Sequence, residues 1–205
     1  MPEIFTANIN SSVSLSVWKI VESEEFFFSN LRLDSRQIDD IKSLKLPKRR
    51  LEKLACRQAL ATLLPNQKLS VFYSENGAPK MNNLQLSFSH SDSYAVAAIS
   101  KENRIGVDIE QLRPKIHNLY TRFLSQQEIN RFDTNSTEIL QILWGAKEAA
   151  YKLYQLKSLD FSSQIEIFEL TQDRGEGTIQ LTNEKINFQL FHWKIEDAVL
   201  VLAVK

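Results

Sequence analysis

The sequence predicts an α+β fold made of two similar halves, a pseudo-dimer in which each half is a small antiparallel sheet packed with helices. Two observations predict it. Many short runs alternate apolar and polar residues, the mark of strands, while two longer stretches repeat at helical spacing. The order strand, helix, several strands then occurs twice, with Asp108 forty positions before Glu148 and Val17 forty positions before Arg57. The halves are expected at residues 1–103 and 104–205.

Ser14–Val21 alternates and reads as the first strand. Over Pro47–Leu64, Leu51, Leu54, Ala55, Ala59 and Leu63 keep a helical period, with proline at the start where it is best tolerated. Leu69–Ser74 reads as a short strand and Glu75–Pro79 as a turn. Strands at Leu84–Phe88 and Tyr94–Ser100 flank the segment Ser89-His90-Ser91-Asp92. Ile105–Glu110 opens the second round. Ser125–Phe132 begins a helix whose Ser125 and Glu128 form a capping box, and Thr137–Leu156 is a longer helix. Strands follow at Gln164–Leu170, Gly177–Leu181, Ile186–Trp193 and Ala198–Val204. A shift of 91 positions lays Leu54–Leu60 over Gly145–Tyr151 and sets Val17, Lys19 and Arg57 opposite Asp108, Glu110 and Glu148. On that overlay the second half keeps the acids, and the first replaces them with apolar or basic residues.

Composition narrows the class. At 205 residues with 43% hydrophobic and 24% charged content, the chain has length enough for proper cores. A formal net charge of zero gives no footprint for nucleic acid. The single cysteine, Cys56, permits no internal disulfide and suits a reducing compartment. Met1–Ser14 lacks the basic-then-apolar pattern of a secretion signal, and no apolar run nears the ~20 residues of a membrane helix. These features favour a cytoplasmic protein with neither nucleic-acid nor membrane partners.

Two segments carry the chemistry. In Gly106-Val107-Asp108-Ile109-Glu110, strand geometry puts both acids on one face. In Trp144-Gly145-Ala146-Lys147-Glu148-Ala149-Ala150-Tyr151-Lys152, Glu148 and Lys152 share one helix face. Three carboxylates and a lysine brought together make a site for a hard cation and a phosphate. The blander alternatives are a solvated strand end and an i,i+4 ion pair.

The pair of segments resembles the signature of the 4′-phosphopantetheinyl transferases: G-[VI]-D-[IVL]-E on a strand, then W-x-x-K-E-[AS]-x-x-K on a helix some forty residues later. The length is similar to the larger single-chain, surfactin-synthetase-activating type, whose members look like two fused copies of a small subunit with coenzyme A bound between the halves. The resemblance implies Mg²⁺ held by Asp108, Glu110 and Glu148, with Lys152 on the coenzyme A phosphates; the choice between Mg²⁺ and Mn²⁺ stays open. It implies Glu148 and Lys152 as the catalytic pair, with Glu148 or a metal-bound water taking the serine proton. Ser89 and His90 resemble the family's S-H-S segment and would contact coenzyme A, against the alternative of a histidine capping a loop. Lys48-Arg49-Arg50 and Arg57 are either a solvated helix face or a guanidinium clamp, with Arg49 and Arg57 the picks. Glu128 fits the family's F-[LF]-[ST]-x-x-E, although the capping box explains it sufficiently. Lys147 is assigned a positional role, and Trp144 core packing.

Two departures stand out. The family's G-K-P reads Gly77-Ala78-Pro79 here, with Lys80 close enough to substitute, and Gly145 follows the tryptophan where Ser, Thr or Cys is usual. The implied reaction moves 4′-phosphopantetheine from coenzyme A to a serine of an acyl or peptidyl carrier protein, in fatty-acid, polyketide or nonribosomal peptide synthesis, releasing 3′,5′-ADP. The implied state is a monomer. Two rivals remain: a degenerate copy that binds coenzyme A or a carrier without transfer, and a Mg²⁺-dependent pyrophosphatase, which would need more acidic ligands than these three.

Overall fold

The computed structural model describes residues 2–155 and 158–205. It is α+β, with two antiparallel sheets in two compact units, Met1–Asn103 and Arg104–Lys205. Among the described residues no helix is long and apolar enough to cross a membrane.

The first unit runs β1 (Glu3–Asn8), β2 (Val13–Lys19), α1 (Glu24–Asn30), α2 (Ser35–Lys42), α3 (Pro47–Leu63), β3 (Phe72–Tyr73), β4 (Pro79–Met81), β5 (Leu84–His90) and β6 (Tyr94–Ser100). Its sheet order is β1-β2-β6-β5-β4-β3. Helix α3 packs on β2 and β6, and its Leu54, Ala55, Ala59 and Leu60 form one core with Trp18, Leu86 and Ala97. The second unit runs β7 (Ile105–Gln111), two 3₁₀ turns (Pro114–Asn118, Tyr120–Arg122), α4 (Gln126–Arg131), α5 (Thr137–Tyr154), α6 (Phe161–Gln164), β8 (Ile165–Leu170), β9 (Arg174–Gln180), β10 (Lys185–Ile195) and β11 (Ala198–Val204). Its order is β7-β11-β10-β9-β8, with α5 against β7 and β11.

Both units therefore share one topology. A first strand leads through a long helix to the far edge of the sheet, and three further strands return to pair with it. Strand β1 is an extra edge strand on the first unit. The sequence reading missed β1, β4 and the helices α1, α2 and α6. It extended β3 to Leu69–Ser74, where only Phe72 and Tyr73 pair. The expected end of the long helix at Leu156 lies outside the described residues.

The shared topology also corrects the overlay. Asp108 pairs across the ladder with Val201, which lies in the core beneath α5, and Glu110 pairs with Val199 on the same face. In the first unit the ladder partners of core residues Ala97 and Ala95 are Ser16 and Trp18. Val17 points to the opposite face, because successive strand residues alternate. The counterparts of Asp108 and Glu110 are thus Ser16 and Trp18.

The helix register is fixed by a buried tether that occurs in both units. Asp34 caps α2 by accepting from the Gln37 N–H at 2.9 Å, as Ser125 caps α4 by accepting from that of Glu128 at 3.2 Å. The third residue of each cap then reaches inward. The Arg57 Nε of α3 donates to Gln37 Oε1 at 3.2 Å, and the Lys147 Nζ of α5 donates to Glu128 Oε2 at 2.7 Å. Gln37 Nε2 donates to the Leu69 carbonyl just before β3, and Glu128 Oε1 accepts the Ile167 N–H of β8 at 2.8 Å. Arg57 therefore matches Lys147, and Glu148 matches Gln58. The first unit carries Ser16, Trp18 and Gln58 where the second carries acids: an apolar residue at one position, and neutral polar residues at the other two where an apolar and a basic one were expected.

Two glycines set how closely α5 lies on its sheet. A Cβ on Gly106 would stand 1.9 Å from the Ala149 carbonyl oxygen, and one on Gly145 would stand 2.9 Å from Val201 Cγ2. The first obstacle is backbone and cannot turn aside; the second is a side chain that can. Gly106→Ala is expected to cost about 3 kcal/mol or more. In Gly145→Ala a gain in helix propensity of up to ~1 kcal/mol offsets part of the crowding. Thermal melts of the two variants check this, and equal destabilisation would contradict the distinction.

Candidate active site

The site in the second unit begins with that close approach. Strand β7 presents Gly106, Asp108 and Glu110 on the face covered by α5, and α5 presents Gly145, Glu148 and Lys152 toward it. Asp108 is 3% exposed. Lys152 Nζ donates to its Oδ1 at 2.7 Å and to the Val107 carbonyl at 3.0 Å. Lys152 is therefore anchored to β7 and forms its ion pair with Asp108 across to the strand, although Glu148 lies one helical turn away.

The carboxylates crowd one another. Burial, then the neighbouring Asp108 charge, pushes the Glu110 carboxyl up to about 7, against the opposing pull of Arg113 and Lys152. Burial and Asp108 likewise raise Glu148, with Lys152 opposing. The structure thus brings Asp108, Glu110, Glu148 and Lys152 into one electrostatic cluster. Among the described residues, however, no three Asp, Glu, His or Cys side chains stand as a ready metal cluster. The donor set itself suits a hard divalent cation: three carboxylates whose mutual repulsion a positive charge would relieve. Such a cation would compete with Lys152 for Asp108.

The neighbours of Glu148 and Lys152 on α5 hold the helix. Trp144 packs edge-on to Phe123 with centroids 5.1 Å apart and tilts against Phe161 at 5.7 Å. Lys147 is fully buried; besides Glu128 it donates to the Phe161 carbonyl at 2.8 Å and to the Ile165 carbonyl at 2.5 Å. Burial lowers its proton affinity while Glu128 opposes the shift. One ammonium thereby ties α5 to α4, α6 and β8, and the pair Glu128–Lys147 is structural.

The first unit places the remaining candidates on α3, β4 and β5. Arg49 is on the first turn of α3, and its side chain is 59% exposed. His90 ends β5 beside it, and Ser89 is buried with its carbonyl accepting from the Cys56 thiol at 3.5 Å. Lys80 lies on β4, opposite Phe72 and Gln85 in the ladders. Arg57 corrects the sequence reading. It is 1% exposed and committed to Gln37 and to the Lys53 carbonyl at 3.1 Å, so its guanidinium is part of the core and is not presented to a ligand. Within the cluster at the start of α3, Lys48 pairs with Asp92, and Arg50 is engaged by Glu24 at 2.9 Å and the Leu44 carbonyl at 2.8 Å. His90 has an acid beside it. The structure supplies Glu52, whose Oε2 lies 3.5 Å from His90 Nδ1.

Comparison with known proteins identifies the second unit. Residues 104–204 match the family model described as the 4′-phosphopantetheinyl transferase superfamily. The second unit is a 4′-phosphopantetheinyl transferase superfamily domain. A Synechocystis sp. protein named provisionally as a 4′-phosphopantetheinyl transferase is 31% identical over a stretch covering 48% of this chain and 47% of that relative. The chain thus spans about half the length of the curated relative it matches. The domain contains every residue of the acidic cluster.

Lys147→Met is expected to destabilise the protein by about 3–5 kcal/mol, because it leaves the Glu128 charge buried without a partner. Adding Glu128→Gln should recover part of the loss; urea denaturation reads both. A second prediction concerns pH. The folded protein keeps a proton on Glu110 up to about pH 7, whereas the unfolded chain releases it near the ordinary 4.5. The folded state binds more protons across that window, so this contribution is complete below about pH 4.5 and lost as pH rises through 7. Stability of cation-free protein should therefore decline across that range more steeply than that of Glu110→Gln; parallel curves would refute the raised Glu110.

Proposed function

We propose that the protein transfers 4′-phosphopantetheine from coenzyme A to a serine hydroxyl of an acyl or peptidyl carrier protein, as a monomeric cytoplasmic enzyme of the single-chain type. The observation that carries this reading is the cluster of Asp108, Glu110, Glu148 and Lys152 inside a domain of this superfamily. In the reaction the serine oxygen forms a bond to the β-phosphorus of coenzyme A. The bond from that phosphorus to the bridging diphosphate oxygen breaks, and 3′,5′-ADP leaves with the electron pair.

Glu148 takes the serine proton. Burial and Asp108 raise its carboxyl in the cation-free protein; with Mg²⁺ on one oxygen, the other would serve as the acceptor. Lys152 lies 27% exposed and is already fixed by the Val107 carbonyl, so its ammonium can move from Asp108 to a phosphate oxygen without losing all its contacts. Asp108, Glu110 and Glu148 would hold Mg²⁺, which when bound neutralises the charge that gathers on the departing diphosphate. Arg49, Lys80, Ser89 and His90 of the first unit are assigned to coenzyme A, with Arg49 and His90 on a phosphate.

A non-catalytic binder of coenzyme A is the second reading. It is favoured by the seating of Lys152 on Asp108 and by Ala78 in the turn before β4, where the family places lysine. Intact-mass measurement of an apo carrier incubated with the protein, coenzyme A and Mg²⁺, with an EDTA control, separates the two. A metal-dependent gain of one phosphopantetheine is expected. Asp108→Ala should abolish it while the fold persists, and full transfer by a folded Asp108→Ala would overturn the metal assignment. Mg²⁺ should also raise the melting temperature more at pH 8 than at pH 5, where protonation of the acids removes the charge it binds. No gain on several carriers, with coenzyme A still bound, would favour the binder.

A further inference from the structure

Helix α3 starts in a way that a purely structural helix avoids. Its first turn carries Lys48 and Arg49, with Arg50 following; no acid lies there, and Leu46 provides no side-chain cap. Cations at a helix N-terminus oppose the helix dipole. The one acid in the whole helix is Glu52, one turn further in, and it is 4% exposed. Its Oε2 accepts from Arg49 Nη1 at 2.9 Å and lies 3.5 Å from His90 Nδ1. A single buried oxygen therefore lies against two partly exposed groups, the Arg49 guanidinium from α3 and the His90 imidazole from β5. Cys56, one helical turn after Glu52, seats the same face of α3 on the Ser89 carbonyl and so keeps Glu52 opposite His90.

We infer that Glu52 is a positioning residue that sets Arg49 and His90 as a matched pair of donors for one phosphate group of the nucleotide. The inference rests on the function proposed above. A carboxylate at Nδ1 fixes the imidazole tautomer with its proton there and stabilises the ring when Nε2 is also protonated. The same carboxylate takes one edge of the Arg49 guanidinium. Among the described residues Arg49 makes no other hydrogen bond, so its remaining N–H groups are available to an anion. Glu52 itself is buried and negative, and so acts on the phosphate only through these two groups.

The test is calorimetric binding of adenosine 3′,5′-bisphosphate to the full chain. Glu52→Gln keeps the shape and an acceptor oxygen but removes the charge; it should weaken binding about tenfold with a melting temperature within a few degrees of the parent. His90→Ala and Arg49→Ala should each weaken binding, and Glu52→Gln added to the double variant should cost nothing further. A full tenfold loss in that background would mean that Glu52 acts on the fold or directly on the ligand, and the inference would fail. Loss in His90→Ala with none in Glu52→Gln would also overturn it, leaving the site assignment intact. Unchanged binding in both His90→Ala and Arg49→Ala would remove the phosphate assignment and the inference together.

Discussion

Helix α5 lies so close to strand β7 that position 106 has no space for a side chain. Much of the second unit follows from that contact. With Gly106 against the Ala149 carbonyl, the alternation of the strand sends Asp108 and Glu110 toward the same helix. Glu148 is the residue before Ala149, and Lys152 lies one turn later, so the contact that packs the unit also gathers its acids. Gly145 extends the close approach by one more turn, where a side chain would meet Val201 and come within 3.6 Å of Asp108 Oδ2. Gly145 is thus a packing residue.

The two units show what changes and what persists when one scaffold is used twice. The long helix is held in each by a buried cation reaching the third residue of a capped short helix, Arg57 to Gln37 in one and Lys147 to Glu128 in the other. The first version uses a neutral acceptor and the second a charged one. Removing charge from the first unit is consistent along the chain: Ser16, Trp18 and Gln58 stand where Asp108, Glu110 and Glu148 do. The scaffold interaction survives while the acids appear in one copy.

How much of this the sequence disclosed depended on the range of the signal. Tyr94–Ser100 and Ala198–Val204 are legible because every residue is apolar or small and the runs end in polar positions; both match the observed strands end to end. The capping box at Ser125 and Glu128 is legible because it lies within four consecutive residues. Helix α2 escaped notice because it is short and mostly polar, with Gln37 and Ile41 its buried residues, although Asp34 and Gln37 stand at the spacing of a helix cap. The overlay slipped by one residue because the two halves differ in loop lengths, and equal spacing from strand to helix does not preserve which face a strand residue takes. Arg57 was misread because a buried arginine and a surface arginine look alike until Gln37, twenty positions away, is seen beside it. The acidic motif was readable as residue types at set spacings. That Lys152 bonds Asp108, and that Glu52 stands behind His90, required the third dimension.

The acidic cluster is best understood through what opposes it. Folding normally places like charges apart, yet here burial and Asp108 together lift both glutamates, and Lys152 alone cannot neutralise the three. A structural role would be served by Ser, Trp and Gln, as the first unit demonstrates on the same backbone. The second unit therefore maintains an electrostatic strain that its fold does not require, supported by the Lys147 tether and by aromatic packing around Trp144. Strain of this kind has a use when a ligand brings compensating charge: a cation settles the carboxylates, and the ammonium they release from Asp108 becomes available to an anion. On the proposed function, cation and phosphate would then bind cooperatively, since a cation on Asp108 would free Lys152 for the phosphate.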